Sequence, residues 1–111
     1  MLQNLRSERD AYDTLSWIQE GTTVLDRDNH KIGKVKRVQF ADGYDAEPYD
    51  MPDSFYRLHS DTQRQLMREG FIQIDGGFFA AHDRFATPEQ VAGMTDEGLC
   101  LNVPEYRLIK A

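Results

Sequence analysis

The chain has 111 residues, 40% of them hydrophobic and 29% charged, a length and balance that suit one soluble domain with its own core. Its formal net charge of −6 disfavours a broad phosphate-binding surface, so direct contact with nucleic acid is not expected. A single cysteine, Cys100, excludes an internal disulfide and a thiolate metal cluster within one chain.

The polar opening "MLQNLRSERD" lacks the apolar core of a signal peptide. No apolar run approaches the roughly 18 to 20 residues that span a bilayer. The expectation is a cytoplasmic protein without membrane insertion. Residues 1–20 read as an N-terminal helical extension. Ser7 is a candidate cap, Ala11, Leu15 and Ile18 recur at helical spacing, and Gly21 follows as a stop. Such a helix packs on its own domain or serves as a partner-binding arm, with Trp17 as its large apolar surface.

Two strands follow, over 22–26 and 31–41, joined by "RDNH". Asp and Asn bond to nearby backbone and tolerate unusual dihedrals, so this stretch predicts a hairpin turn. A calcium loop of the EF-hand type needs glycine at its sixth position and glutamate at its twelfth. Counting from Asp26, those places hold Lys31 and Arg37, so no calcium site is expected. Val35 lies on one parity of the second strand, while Val38 and Phe40 lie on the other. One extra residue near Lys36 and Arg37, a β-bulge, reconciles them and bends the strand.

Residues 42–52, "DGYDAEPYDMP", read as a solvated loop whose Asp42, Asp45, Glu47 and Asp50 are a weak cation candidate. Residues 53–69 predict one inserted helix, capped by Asp53 or Ser54 and stopped by Gly70. Phe55, Leu58 and Leu66 share its apolar face, with Tyr56, His59, Gln63 and Met67 beside it. That thin stripe suits a helix lying over a sheet edge or meeting another subunit. Arg57, Arg64 and Arg68 form a basic edge best read as a solvated face.

Three short apolar stretches complete the chain. "FIQID" puts Ile72 and Ile74 on one face, and the glycine pair at 76–77 marks a turn. "FFAAHDRFA" is the next strand, with His82 and Arg84 on a polar outer face and Asp83 pointing the other way. "TPEQ" carries the signature of a helical turn: Thr87 as cap, Pro88 first, and Gln90 reaching back. "LCLNV" places Leu99, Leu101 and Val103 on one face, and a short helix is expected from Pro104. The predicted core is Val24, Ile32, Val38, Phe40, Ile72, Ile74, Phe85, Val91, Leu99 and Leu101.

Two of these blocks, "GTTVLDRDNHKIGKVKRVQF" at 21–40 and "GFIQIDGGFFAAHDRFATPEQVAGMTDEGLCLNVPEYRL" at 70–108, resemble the opening and closing halves of PRC-barrel-like domains. The resemblance implies a mainly β fold: a small, highly bent antiparallel PRC-barrel-like β-barrel, with an inserted helix and short terminal helices. A single domain would then cover 21–111, with its helical insert at 53–69. The family includes a cytoplasmic domain of a photosynthetic reaction-centre subunit, a domain of a ribosome-maturation factor, and stand-alone bacterial and archaeal proteins. It implies an interaction or adaptor module with no shared active site.

The residues offer little chemistry. His30, His59 and His82 have no ligand spacing, Cys100 sits between two leucines, and no phosphate-binding glycine loop is present. The expectation is therefore a non-enzymatic protein-binding module without catalytic, cofactor or metal residues. Trp17, Tyr56, His59, Met67, Phe78 and Phe79 are its candidate interface, used by a second copy in a homodimer or by a dedicated protein partner. An RNA- or ribosome-associated module, or a small-ligand-binding domain, is the alternative.

Overall fold

The computed structural model describes residues 8–41, 50–76 and 82–111. Helix α1 (Glu8–Ser16) precedes the hairpin of β1 (Thr23–Leu25) and β2 (Lys31–Gln39). Helices α2 (Asp53–Tyr56) and α3 (Ser60–Glu69) lead into β3 (Phe71–Asp75) and β4 (Arg84–Ala86). A 3-10 turn at Pro88–Gln90 enters the hairpin of β5 (Val91–Thr95) and β6 (Gly98–Leu101). A second 3-10 turn, Glu105–Arg107, precedes β7 (Ile109–Lys110).

These strands form one mainly antiparallel sheet in the order β5-β6-β1-β2-β3-β4-β7, with β1 and β6 as its parallel pair. Among the described residues the sheet is not closed into a barrel, which corrects that part of the expectation. Closure would require β5 to meet β7, and a two-residue β7 offers too few backbone groups to seal such a seam. The parity argument does hold in β2. Val35 pairs with Ile74 and Val38 with Ile72, and the register shifts between Val35 and Arg37. That bulge turns Val35 and Val38 to the same side of the sheet, where both pack on one core.

The sheet is covered on both faces. On one, Val24, Ile32, Val35, Ile72, Ile74, Leu99 and Leu101 pack with Leu15 and Ile18, from α1 and the residues just after it. Val38, Phe40 and Val91 are partly buried against this cluster. On the other, alternate residues of β3 and β4, Phe71 and Phe85, meet Phe55, Leu66 and Met67 from α2 and α3. Three of these rings interlock: Phe55 stacks on Phe71 with centroids 5.6 Å apart, and Phe85 meets both edge-on. Because β3 is covered on both sides, four of its five residues are buried, including the polar Gln73.

The expected single helix over 53–69 is two helices meeting at an angle. His59 is extended, with ψ of 147°, and breaks the helical run. The Gln63 side-chain amide donates to the carbonyls of Leu58 (2.9 Å) and Tyr56 (3.3 Å), binding acceptors that a helix end leaves free. The break resets the helical phase, so the inward face of α3 is Leu66 with Met67 rather than a continuation of the Phe55–Leu58 stripe. Met67 is only 2% exposed, correcting the expectation that it stands at the surface.

Around Pro88 the sequence reading agrees with the structure, since the Thr87 N–H donates to Gln90 Oε1 at 3.0 Å. The expected C-terminal helix is a single 3-10 turn, because Leu108 returns to extended backbone and Ile109 pairs with Phe85. Strand β5 was not expected: "VAGMT" is half-exposed and lacks an apolar alternation.

Candidate functional site

The "DRDNH" turn is organised by one buried carboxylate. Asp26 is 3% exposed. Its Oδ1 accepts from the backbone N–H of Asp28 (2.9 Å) and of His30 (3.0 Å). Its Oδ2 accepts from the N–H of Glu105 at 3.2 Å, joining the first hairpin to the C-terminal turn. The Asp26 N–H donates to the His30 carbonyl (2.9 Å), and Asn29 takes a left-handed φ of 67° to complete the reversal. Burial pushes the Asp26 carboxyl up, but the N–H donors of His30, Glu105 and Asp28, with the charge of His30, leave it below its ordinary value of 3.8.

Asp26, Asp28 and His30 also bring potential ligand atoms within 4.8 Å of one another. Their chemistry suits a turn better than a cation. The lone pairs of Asp26 are engaged by three backbone donors, and a metal would have to displace them. The weak cation candidate in the acidic loop falls largely on residues 42–49, outside the described residues, with only Asp50 placed.

A second polar centre lies beneath α2. Asp83 Oδ2 accepts from Gln73 Nε2 (2.7 Å), Ser54 Oγ (3.2 Å) and Lys36 Nζ (3.4 Å), so one oxygen ties α2, β2 and β3 to the start of β4. Gln73 Nε2 also donates to Ser54 Oγ at 3.2 Å. Burial raises the Asp83 carboxyl, and the Gln73 hydrogen bond and the Lys36 charge more than offset it, so its net shift is downward. Ser54 is no activated nucleophile here. Its hydroxyl donates to a carboxylate whose low pKa makes it a poor proton acceptor.

The expected polar outer face at 82–84 is corrected in part. His82 is exposed, but the Arg84 side chain is 12% exposed and paired with Glu105. Arg84 opposes Ile74 across the ladder, on the side of the main core, which explains its burial. Sequence reasoning missed both Asp83 and Arg84 as structural hubs. Their signal was a polar triplet inside an apolar run, which shows burial only once α2 and the Glu105 turn are placed over it.

Of the candidate interface residues, Trp17 is 43% exposed, Tyr56 is 44% exposed, and His59 is exposed beside Tyr56 at the break between α2 and α3. Met67 lies inside, and Phe78 and Phe79 fall outside the described residues. Tyr12, Met94 and Tyr106 are further exposed large side chains that the sequence reading did not single out. Tyr12 meets Phe40 at a tilt of 44° with ring centroids 4.9 Å apart and stays 61% exposed. Cys100 is half-buried, its Sγ 3.8 Å from Thr95 Oγ1 and 3.9 Å from the Gly98 carbonyl, with no acid or base among the described residues bonded to it.

No family model matches the chain, and comparison with curated proteins and with solved structures finds no similar one. Among the described residues, no helix is long and apolar enough to cross a membrane.

Proposed function

We propose that this chain is a non-enzymatic, cytoplasmic protein-interaction module related to the PRC-barrel-like domains, with its sheet left open. The resemblance is supported by topology: its two blocks lie side by side in one sheet, where β1 pairs with β6 and β2 with β3. The observation that carries the functional reading is a division of labour among the side chains. The buried polar groups Asp26, Ser54 and Gln73, with the partly buried Asp83, are engaged in holding elements together. Trp17 and Tyr56 are left at the surface. Aromatic side chains carry large apolar area with few rotors and are enriched where proteins meet.

A photo-crosslinking residue placed at position 17 or 56 in cells tests this. The expected result is discrete protein adducts from both positions, including adducts of two copies if the module pairs with itself. The same residue at the exposed turn position 28 should give none. Equal yields at all three positions, or adducts to RNA instead of protein, would overturn the reading.

A further inference from the structure

The two edges of the sheet differ. At one, β7 has two residues, carries Lys110, and ends with the Ala111 N–H donating to the Asp83 carbonyl. At the other, β5 runs five residues without a charge or a proline. Among the described residues no strand pairs with its outer side. An edge strand presents alternate N–H and C=O groups toward solvent, and proteins commonly blunt such edges with lysine, proline or bulges. Here the bulge between Val91 and Gly93 leaves Gly93–Thr95 as the regular stretch. Met94 is 46% exposed, and the space around Gly93 is open, with nothing within 4 Å of where a Cβ would stand.

Charge selects the occupant. Glu89 precedes the strand, and Asp96 and Glu97 follow it, all exposed. From Phe85 to Tyr106 the sequence contains no lysine or arginine. A second copy pairing antiparallel about Gly93 would set Glu89 of one chain against Asp96 and Glu97 of the other, and like charges facing across a ladder are destabilising. An extended segment with cations at both ends meets the opposite situation.

We propose that the outer edge of β5 receives an extended peptide segment of a partner protein as an added strand, with a small or β-branched centre and lysine or arginine flanking it on both sides. Main-chain hydrogen bonds along Gly93–Thr95 hold the segment, and Glu89, Asp96 and Glu97 choose it. This reading rests on backbone groups of β5 rather than on Trp17 and Tyr56, and the two readings stand or fall independently.

The test uses the full chain, labelled with nitrogen-15. The probe is a synthetic peptide of alternating valine and threonine with lysines at both ends. Two controls accompany it: a counterpart with glutamates at both ends, and a lysine-flanked peptide N-methylated at alternate amides. The expected result is amide shifts centred on Val91–Thr95 with the lysine-flanked peptide alone. Met94→Lys, at an exposed position, should weaken that binding at least about tenfold. The exposed pair of changes Asp96→Lys and Glu97→Lys should reverse the preference toward the glutamate-flanked peptide. Shifts scattered over the acidic surface, equal binding of the N-methylated peptide, or no shifts at ~1 mM peptide would overturn the proposal. So would β5-to-β5 pairing of the chain with itself at high concentration.

Discussion

Replacing Asp26 with alanine removes a carboxylate that serves three backbone donors at once. Hydrogen bonds to a charged group contribute about 1.5 to 3 kcal/mol each. The bonds to Asp28 and His30 lie in an exposed turn, where water replaces the acceptor in part. The bond to Glu105 crosses from the first hairpin to the C-terminal turn and is harder to replace. Taking the low end for all three gives a loss of about 4.5 kcal/mol, a large part of the roughly 5 to 15 kcal/mol that holds a domain together. Urea denaturation of wild type, Asp26→Ala and the exposed control Asp28→Ala measures it, with the control expected within about 0.5 kcal/mol of wild type. The gap should also depend on pH. The folded-state pKa of Asp26 lies below its ordinary value of 3.8, so its contribution is complete above that value. The part that belongs to the ionised form is lost as pH falls through the lower folded-state pKa, so the gap between the two variants should narrow in acid. A loss under about 1 kcal/mol at neutral pH would refute the account of this turn.

Met67→Glu should destabilise the fold by about 4 kcal/mol or more by thermal or urea unfolding, whatever the state of association, because it buries a charge against Leu66 and Phe71. Gln73→Leu should cost about 1 to 3 kcal/mol in urea, since it deprives Asp83 and Ser54 of their shared donor inside the helix–sheet layer. Gly33→Ala should cost about 3 kcal/mol or more, or prevent folding, read by circular dichroism. At φ of 150° a Cβ there would run into the Asp75 carbonyl on the neighbouring strand. The stability of the Asp83→Asn variant should approach that of wild type only as pH falls below 3.8, since the wild-type carboxylate is held ionised by Gln73 and Lys36.

Local chemistry was legible in the residues themselves. Parity placed the bulge between Val35 and Arg37, and Ile72 with Ile74 on one core face, because a strand's period of two leaves no other way to bury them. The spacing of Thr87, Pro88 and Gln90 specified the helical turn before β5, since capping involves groups only three residues apart. The "DRDNH" turn was readable for the same reason.

Relations between distant segments were decided by the tertiary structure. Leu66 and Met67 both face inward because the break at His59 resets the helical phase, and no helical wheel contains the position of that break. Asp83 and Arg84 are polar residues with a surface composition. They are largely covered because Ser54 of α2 reaches Asp83 from one side and the Glu105 turn meets Arg84 from the other. Whether the sheet closes depends on the length of β7 and on β6 returning to β1 rather than on any pattern within a strand. Hydrophobic periodicity specifies which side of an element is apolar, while the partner that covers that side is set by the packing of the whole chain.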